Sequence, residues 1–130
     1  METLRKHEIT LRVRYSETDG QARLHHANFF NIFELGRTEM LRAAGVSYRD
    51  LEDQGILLVV KQVRCDYHLP VRFDDELRLV TTTMSSRGAR VRHQYEVFLG
   101  DQLVAEGESM IACVGRQGSA RRLPDVLQLD

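Results

Sequence analysis

The stretch that decides the fold is residues 15–44, which read YSETDGQARLHHANFFNIFELGRTEMLRAA. It joins the end of a strand to a loop and then to a helix that is predicted to begin near Asn28. Apolar residues recur at helical spacing from there, and Gly45 is well placed to cap the C-terminal end. The carboxylate of Asp19 therefore comes just before the free backbone N–H groups of a helix start. Such an arrangement can polarise and attack a carbonyl group.

Alternating apolar and polar residues predict five strands around this helix. The first strand alternates strictly and ends with Tyr15 on its apolar face. The predicted strands cover residues 8–16, 56–69, 76–84, 89–99 and 102–115, with a turn at 85–88. A short helix is predicted from Ser47 to about Gln54. This order indicates an α+β fold in which one antiparallel sheet of about five strands curves around one buried helix.

The length, composition and charge of the chain limit the kinds of protein to which it can belong. It has 130 residues, of which 42% are hydrophobic, so it can bury one core without disulfides or metals. We expect one domain over residues 1–130, with a loosely held tail from about residue 116. The 18 basic and 19 acidic residues nearly balance, so nothing in the charge suggests a nucleic-acid partner. No apolar run reaches membrane-spanning length and no leader is recognisable, which favours a cytoplasmic protein.

Asp19 is the strongest candidate for catalysis, although the Thr-Asp-Gly sequence around it is also common in ordinary turns. The segment around Ser109 lacks the second glycine of a nucleophile elbow. Cys65 and Cys113 lie in predicted strands, have no activating neighbours in the sequence and are expected to be reduced, buried apolar residues. If the chain is an enzyme, a carboxylate is therefore expected to carry the chemistry.

The adjacent histidines His25 and His26 lie at the helix entrance. Neighbouring residues point in different directions in a helix or a strand, and no H-x-x-x-H or H-E-x-x-H spacing supports chelation. We therefore expect no metal and no cofactor. One histidine could instead hydrogen-bond the carboxylate or the substrate, while the other is exposed.

Several aromatic and basic residues fit two interpretations each. By pattern alone Tyr15 and Phe29 are core aromatics, although Phe29 could also line a ligand pocket near the helix start. Arg87, Arg90 and Arg92 surround a predicted turn. Such clusters are usually solvated surface, but they are the first place to look if the ligand carries phosphates.

Four motifs lie along the chain: Val13-x-Tyr15-x-x-Thr18-Asp19, His26-Ala27-Asn28-Phe29, Phe33-Glu34-x-x-Arg37-Thr38-Glu39-Met40-Leu41-Arg42 and Tyr67-x-x-Pro70-x-x-x-Asp74-Asp75-x-Leu77. Together they resemble the hotdog-fold thioesterases, specifically the 4-hydroxybenzoyl-CoA thioesterase family and its branch of Tol–Pal-associated acyl-CoA thioesterases. The order of elements agrees from about residue 8 to residue 115. The position before the histidine, commonly tyrosine in relatives, is His25 in this chain.

The resemblance implies a long helix wrapped by a curved sheet, two subunits joined edge to edge with sites at their interface, and often a tetramer of two dimers. It places the family's catalytic aspartate on Asp19, its histidine on His26 and its accessory tyrosine on Tyr15. It also implies that a backbone N–H between Ala27 and Phe29 polarises the carbonyl, and that the nucleotide binds near Arg87 to Arg92.

The sequence thus predicts hydrolysis of an acyl-CoA thioester to a free acid and coenzyme A. Asp19 would either attack the carbonyl directly or activate water as a general base, with His26 and Tyr15 in support. The alternatives are a thioesterase that acts on acyl carrier protein, an enoyl-thioester hydratase or dehydratase, and a non-catalytic protein that binds acyl thioesters. The nature of the acyl group stays open.

Overall fold

The computed structural model describes residues 2–129, and its largest feature is a five-stranded antiparallel sheet. Its strands are β1 (Lys6–Arg12), β2 (Leu57–Tyr67), β3 (Glu76–Arg87), β4 (Arg90–Leu99) and β5 (Gln102–Val114). Their order across the sheet is β1-β3-β4-β5-β2, so β1 and β2 form its two edges. The predicted α+β class and the five-stranded antiparallel sheet are confirmed.

Two helices connect the first two strands, and both begin and end close to the predicted positions. They are α1 (Asn28–Ala43) and α2 (Tyr48–Asp53). Gly45 follows α1 with a φ of 80°, a left-handed conformation that glycine adopts without strain. The Ser47 hydroxyl accepts a hydrogen bond from the backbone N–H of Asp50 and so caps α2. No helix within residues 2–129 is long and apolar enough to span a membrane.

Helix α1 packs on the sheet at unusually close range. Phe33 is fully buried, and its ring stacks on Tyr95 of β4 with 4.3 Å between the ring centroids. Beneath the ring lies Gly107 of β5, where a Cβ would come within 2.3 Å of the Arg64 carbonyl oxygen and 2.6 Å of Phe33 Cε2. At Gly36 of α1 a Cβ would also meet side chains of the sheet at 2.5 Å. These two glycines therefore allow the helix to approach the sheet.

The tail after β5 is part of the core, so the prediction of a loosely held segment from residue 116 is wrong. Leu123 is 1% exposed and Leu127 is 4% exposed, and both pack with Met40 of α1. The Ser86 hydroxyl donates a hydrogen bond to the Leu127 carbonyl, and the Leu129 N–H donates to the Ser86 carbonyl. Isolated leucines among arginine, proline and glycine carry no periodic pattern, so the sequence does not reveal this packing.

The first strand ends earlier than predicted. Its neighbour in the sheet, β3, begins at Glu76 opposite Arg12, so among the described residues β1 has no partner strand beyond that point. Val13 still turns into the core, but Tyr15 lies in a short 3₁₀ turn and is 76% exposed. The interpretation of Tyr15 as a core aromatic at the end of an alternating strand is therefore wrong for the single chain.

The hairpin between β3 and β4 is tighter than predicted. Pairing continues past the expected turn at residues 85–88 to the pair Arg87 and Arg90, which leaves Gly88 and Ala89 as the turn. Because a bulge lies between Thr83 and Ser85, the alternation of side chains is interrupted there. The polar residues after the bulge therefore belong to the strand, although their composition is typical of a turn.

The contact between α1 and the sheet predicts a large effect of Gly107→Ala. The added methyl would clash with the Arg64 backbone carbonyl, which cannot move without breaking strand pairing. We expect a loss of about 1–3 kcal/mol in the free energy of unfolding, the range typical of overpacked cores, measured by urea denaturation. Gly115→Ala is the matched control, because its Cβ would meet no atom within 4 Å. Equal midpoints for the two variants would contradict the account.

Candidate active site

Asp19 lies in a tight loop that its own carboxylate closes. Oδ1 accepts hydrogen bonds from the backbone N–H groups of Gln21 at 2.8 Å and Arg23 at 3.3 Å. The hydrogen bond from Gln21 is the main cause that lowers the pKa of Asp19 below its usual 3.8. Within residues 2–129 no hydrogen bond reaches Oδ2. One oxygen therefore holds the turn, and the other belongs to an ionised carboxylate that is available for chemistry.

Residues before and after Asp19 hold its loop in position by hydrogen bonds and burial. Leu24 is buried in the core, and its N–H donates to the Val71 carbonyl at 2.8 Å. The Glu17 carbonyl accepts hydrogen bonds from the His25 N–H at 2.9 Å and from Asn28 Nδ2 at 2.8 Å. Asn28, predicted as a substrate-binding residue, thus ties the first turn of α1 to the segment before Asp19. Its observed contacts position the loop.

The two histidines at the helix entrance differ in their surroundings. Their rings stack with 4.3 Å between centroids. Nδ1 of His25 accepts a hydrogen bond from the Ala27 N–H at 3.2 Å, and His25 also contributes electrostatically to the lowered pKa of Asp19. Sequence reasoning favoured His26 and did not assign His25 to the site. Adjacent histidines carry no sequence pattern that distinguishes them, so the proximity of His25 to Asp19 is seen only in the fold.

Tyr67, at the end of β2, is a site residue that the sequence analysis noted only as part of a motif. Its hydroxyl donates a hydrogen bond to the His26 carbonyl at 3.1 Å. Its ring packs edge-on against Phe29, with 5.4 Å between centroids, and also lies edge-on to His26. Phe29 itself is 4% exposed and belongs to the core. Tyr67 therefore links the sheet edge to the helix entrance.

The backbone N–H groups at the start of α1 are not equivalent. Asn28 donates to the His25 carbonyl at 2.9 Å, and Phe29 donates to the His26 carbonyl at 3.2 Å. Both bonds are part of the helix turn and fixed by it. Ala27 donates instead to the His25 imidazole, a side chain that can rotate away. Of the three predicted polarising groups, Ala27 is the one whose N–H can be released.

Tyr15 has no described contact with Asp19. Its ring lies edge-on to Phe73 at 5.6 Å between centroids, and both side chains are largely exposed. Its backbone carbonyl accepts hydrogen bonds from the N–H and hydroxyl of Thr18, which shapes the chain before Asp19. The accessory role of the Tyr15 side chain stays a prediction.

Arg87 and Arg90 lie at the opposite end of the sheet from Asp19. The Asp19 loop contacts the segment just before β3, whereas Arg87 ends that 12-residue strand. At roughly 3.3 Å per residue the two ends of β3 are about 36 Å apart. Within one chain these arginines and Asp19 therefore cannot contact the same small ligand group.

Metal ligation and the two cysteines are the other sources of reactivity considered from the sequence. Residues 2–129 contain no cluster of three or more histidine, cysteine, aspartate or glutamate side chains that could hold a metal ion. Both cysteines are free, and Cys65 is half-buried rather than buried as expected, whereas Cys113 is buried. Burial raises the pKa of the Cys65 thiol to about 11, which keeps it protonated and unreactive near neutral pH.

The chain matches proteins of known family over most of its length. The family model of the thioesterase-like superfamily matches residues 13–129. A putative esterase of Aquifex aeolicus is 31% identical over 119 residues, covering 91% of this chain and 92% of that protein. The acyl-CoA thioester hydrolase YbgC of Escherichia coli is 34% identical over 105 residues, covering 80% of this chain and 78% of YbgC.

Solved structures agree with the sequence relatives. A probable thioesterase from Bartonella henselae superposes with a TM-score of 0.86 at 27% identity, covering 92% of this chain and 99% of that one. A DHNA-CoA thioesterase from Staphylococcus aureus gives a TM-score of 0.87 at 25% identity, covering 91% of this chain and 80% of that one. The predicted hotdog fold is thereby confirmed, and this chain belongs to the thioesterase-like superfamily.

Proposed function

We propose that this chain is an acyl-CoA thioesterase that hydrolyses an acyl-CoA thioester to a free acid and coenzyme A. The observation that carries the proposal is the carboxylate of Asp19, ionised, with one oxygen fixed by the loop and the other without a hydrogen bond within residues 2–129, in the loop that leads to the start of α1. The names of the relatives support the same substrate class. A cytoplasmic location, expected from the sequence, stays a prediction.

The start of α1 provides the group that polarises the carbonyl. The thioester oxygen would take the place of His25 Nδ1 as acceptor of the Ala27 N–H. The positive end of the helix dipole would stabilise the negative charge that develops on that oxygen. One donor of this kind contributes about 3–4 kcal/mol to the transition state of acyl transfer. In the absence of substrate, the imidazole of His25 thus accepts the hydrogen bond from the Ala27 N–H.

Asp19 acts on the polarised carbonyl by one of two routes. In the first, Oδ2 attacks the carbonyl carbon, the C–S bond breaks and CoA leaves as the thiolate, and water then hydrolyses the mixed anhydride. In the second, Asp19 removes a proton from a water molecule that attacks the same carbon, and the C–S bond then breaks so that CoA leaves as the thiolate. Both routes end with the free acid and coenzyme A, and both need Asp19 ionised.

We further propose that two copies of the chain pair through β2. Within residues 2–129 this edge strand has no neighbour on its outer side, and Val59, Val60 and Val63 on it are at least 36% exposed. A long edge strand with exposed β-branched residues is a template for pairing with another strand. A second copy offers the same edge, and antiparallel pairing of the two is self-complementary.

Pairing of this kind would place a second chain beside the proposed catalytic corner, which consists of Asp19, His25, Ala27 and Tyr67. Tyr67 at the end of β2 contacts the His26 carbonyl, so the site adjoins the free edge. In an antiparallel pair centred on the middle of β2, Leu57 of one copy lies opposite Tyr67 of the other. Each site would then be completed by the start of β2 from the second copy.

The test of the proposed function is Asp19→Asn in a thiol-release assay on a panel of acyl-CoA substrates. The amide keeps the size of the side chain and an acceptor oxygen for the turn, but it is neither nucleophilic nor basic. We expect kcat/KM to fall by about 100-fold or more. Asp101→Asn, in the exposed β4–β5 hairpin, is the matched control and should retain wild-type rates. Equal rates in wild type and Asp19→Asn would remove Asp19 from the mechanism.

The lowered pKa of Asp19 predicts activity that persists into acid. Activity that needs the ionised carboxylate is lost only as the pH falls through its folded-state pKa, which lies below 3.8 because Gln21 donates to the carboxylate. The acid limb of the pH profile of kcat/KM should therefore lie below pH 3.8. Circular dichroism at each pH confirms that the chain stays folded. An acid limb between pH 5 and 7 in folded enzyme would assign the essential group elsewhere.

A further inference from the structure

Two arginines lie opposite each other beside Asp19. Arg23 and Arg72 are partners in an isolated antiparallel bridge between the Asp19 loop and the segment before β3. Their neighbours Leu24 and Val71 are buried, and the Leu24 N–H donates to the Val71 carbonyl at 2.8 Å. Because successive side chains of extended segments alternate in direction, both arginines lie together on the opposite, exposed side. Side chains paired in this way can reach the same ligand group.

Neither arginine side chain has an anionic partner in the chain. Within residues 2–129 no hydrogen bond and no ion pair involves the guanidinium group of Arg23 or Arg72. Like charges directly opposite each other across a bridge are destabilising. An anion bound between the two guanidinium groups would remove this repulsion.

The acidic side chains around the bridge are engaged with other groups. Two of them form ion pairs with other arginines, Glu17 with Arg14 at 3.6 Å and Asp74 with Arg12 at 3.8 Å. The Asp75 carboxylate accepts a hydrogen bond from the backbone N–H of Arg72 at 2.8 Å, so it holds the turn rather than the guanidinium group. The positive charges of the bridge are therefore available to a ligand.

The arginine pair adjoins the carboxylate that is proposed to be catalytic. The Asp19 N–H donates to the Arg23 carbonyl at 2.8 Å, and Asp19 Oδ1 accepts the Arg23 N–H at 3.3 Å. The hydrogen bond from Gln21 is the main cause that lowers the pKa of Asp19, and the positive charge of Arg23 is a smaller one. A substrate whose carbonyl group lies at Asp19 therefore has its nearest atoms within reach of Arg23.

An acyl-CoA substrate has two possible sources of an anionic group for this pair. The phosphates of CoA are separated from the thioester by the whole length of the pantetheine arm. A carboxylate at the end of a short acyl chain lies only a few bonds from the carbonyl carbon. Because Arg23 belongs to the same loop as Asp19 and is hydrogen-bonded to it, the short separation favours the carboxylate.

We propose that Arg23 and Arg72 bind a carboxylate at the far end of the acyl group, so that the enzyme prefers acyl-CoA substrates made from short dicarboxylic acids. The proposal rests on the thioesterase function proposed above. The planar guanidinium group of arginine binds a carboxylate through two parallel hydrogen bonds. A neutral acyl group leaves the two positive charges opposed and unpaired.

The first test compares kcat/KM on matched acyl-CoA pairs that differ in the charge of the terminal group and are nearly equal in size. The pairs are glutaryl-CoA with its terminal amide and adipyl-CoA with its terminal amide, each corrected for uncatalysed thiol release. For at least one pair, wild type should prefer the carboxylate by about tenfold or more, the effect of hydrogen bonds to a charged group. In Arg23→Gln and in Arg72→Gln this ratio should fall toward one. Arg49→Gln, at an exposed position of α2, is the control and should keep the wild-type ratio.

Three results of this test would overturn the proposal. The first is a wild-type ratio near one for both pairs. The second is a wild-type preference that persists unchanged in Arg23→Gln and Arg72→Gln. The third is an equal loss of kcat/KM on both members of a pair in these variants, because it would assign the arginines to the phosphates of CoA, which both members carry.

A second measurement depends neither on turnover nor on the folding of a variant. The guanidinium Nε resonances of Arg23 and Arg72 are followed by NMR in the wild-type chain as a carboxybutyl thioether of CoA, which cannot be hydrolysed, or its terminal amide is added. The proposal expects a saturable shift of both resonances with the carboxylate and a smaller shift with the amide. Equal shifts with the two compounds, or no shift with either, would contradict it.

The outcomes separate this proposal from the function on which it rests. Asp19-dependent thiol release without any carboxylate preference would leave the thioesterase standing and remove the arginine pair from substrate selection. A carboxylate-dependent shift of both arginines without thiol release from any acyl-CoA would retain the pair as an anion site and contradict the thioesterase.

Discussion

The fit of the Phe33 ring over Gly107 sets the distance between α1 and the sheet, and the rest of the structure depends on that distance. No side chain larger than hydrogen fits at Gly107, because the Arg64 carbonyl and the ring occupy the space. The Phe33 ring also stacks on Tyr95. This contact fixes the rotation of α1 about its own axis as well as its distance from the sheet. The start of α1 is thereby held beside the loop that carries Asp19, while Met40 in its second half packs with the tail.

Each group in the proposed catalytic corner makes a different contact. Oδ1 of Asp19 closes its own loop, and Oδ2 would be the oxygen that takes part in the proposed reaction. Asn28 ties that loop to the first turn of α1, and His25 occupies the Ala27 N–H that would polarise the thioester. Each contact is local in sequence except that of Tyr67, which comes from the edge strand. The corner therefore forms within one chain but borders the surface where a second copy would bind.

Sequence reasoning succeeded where local pattern and burial agree. The bounds of α1 follow from apolar spacing and Gly45, and they place Asp19 in the loop before the helix, while its catalytic role stays a proposal. Sequence reasoning failed where the position of a residue depends on contacts with residues that are distant in the sequence. Tyr15 is exposed because β3 offers no partner beyond Arg12, and the tail is buried because isolated leucines meet the second half of α1. The placement of His25 and the separation of Arg87 from Asp19 likewise depend on loop and strand geometry that no local pattern encodes.

The most direct test of the shared site is subunit complementation. One variant, Asp19→Asn, lacks the carboxylate; the other, Leu57→Trp, enlarges the side chain at the start of β2 that the same chain would contribute to the site of its partner. If Asp19 of one copy works with the start of β2 of the other, equal mixing after unfolding and refolding gives heterodimers with one intact site. Activity should then recover to about a quarter of wild type, since half of the dimers are mixed and each has one of two sites. No recovery in samples shown by native mass spectrometry to contain mixed dimers would contradict the account.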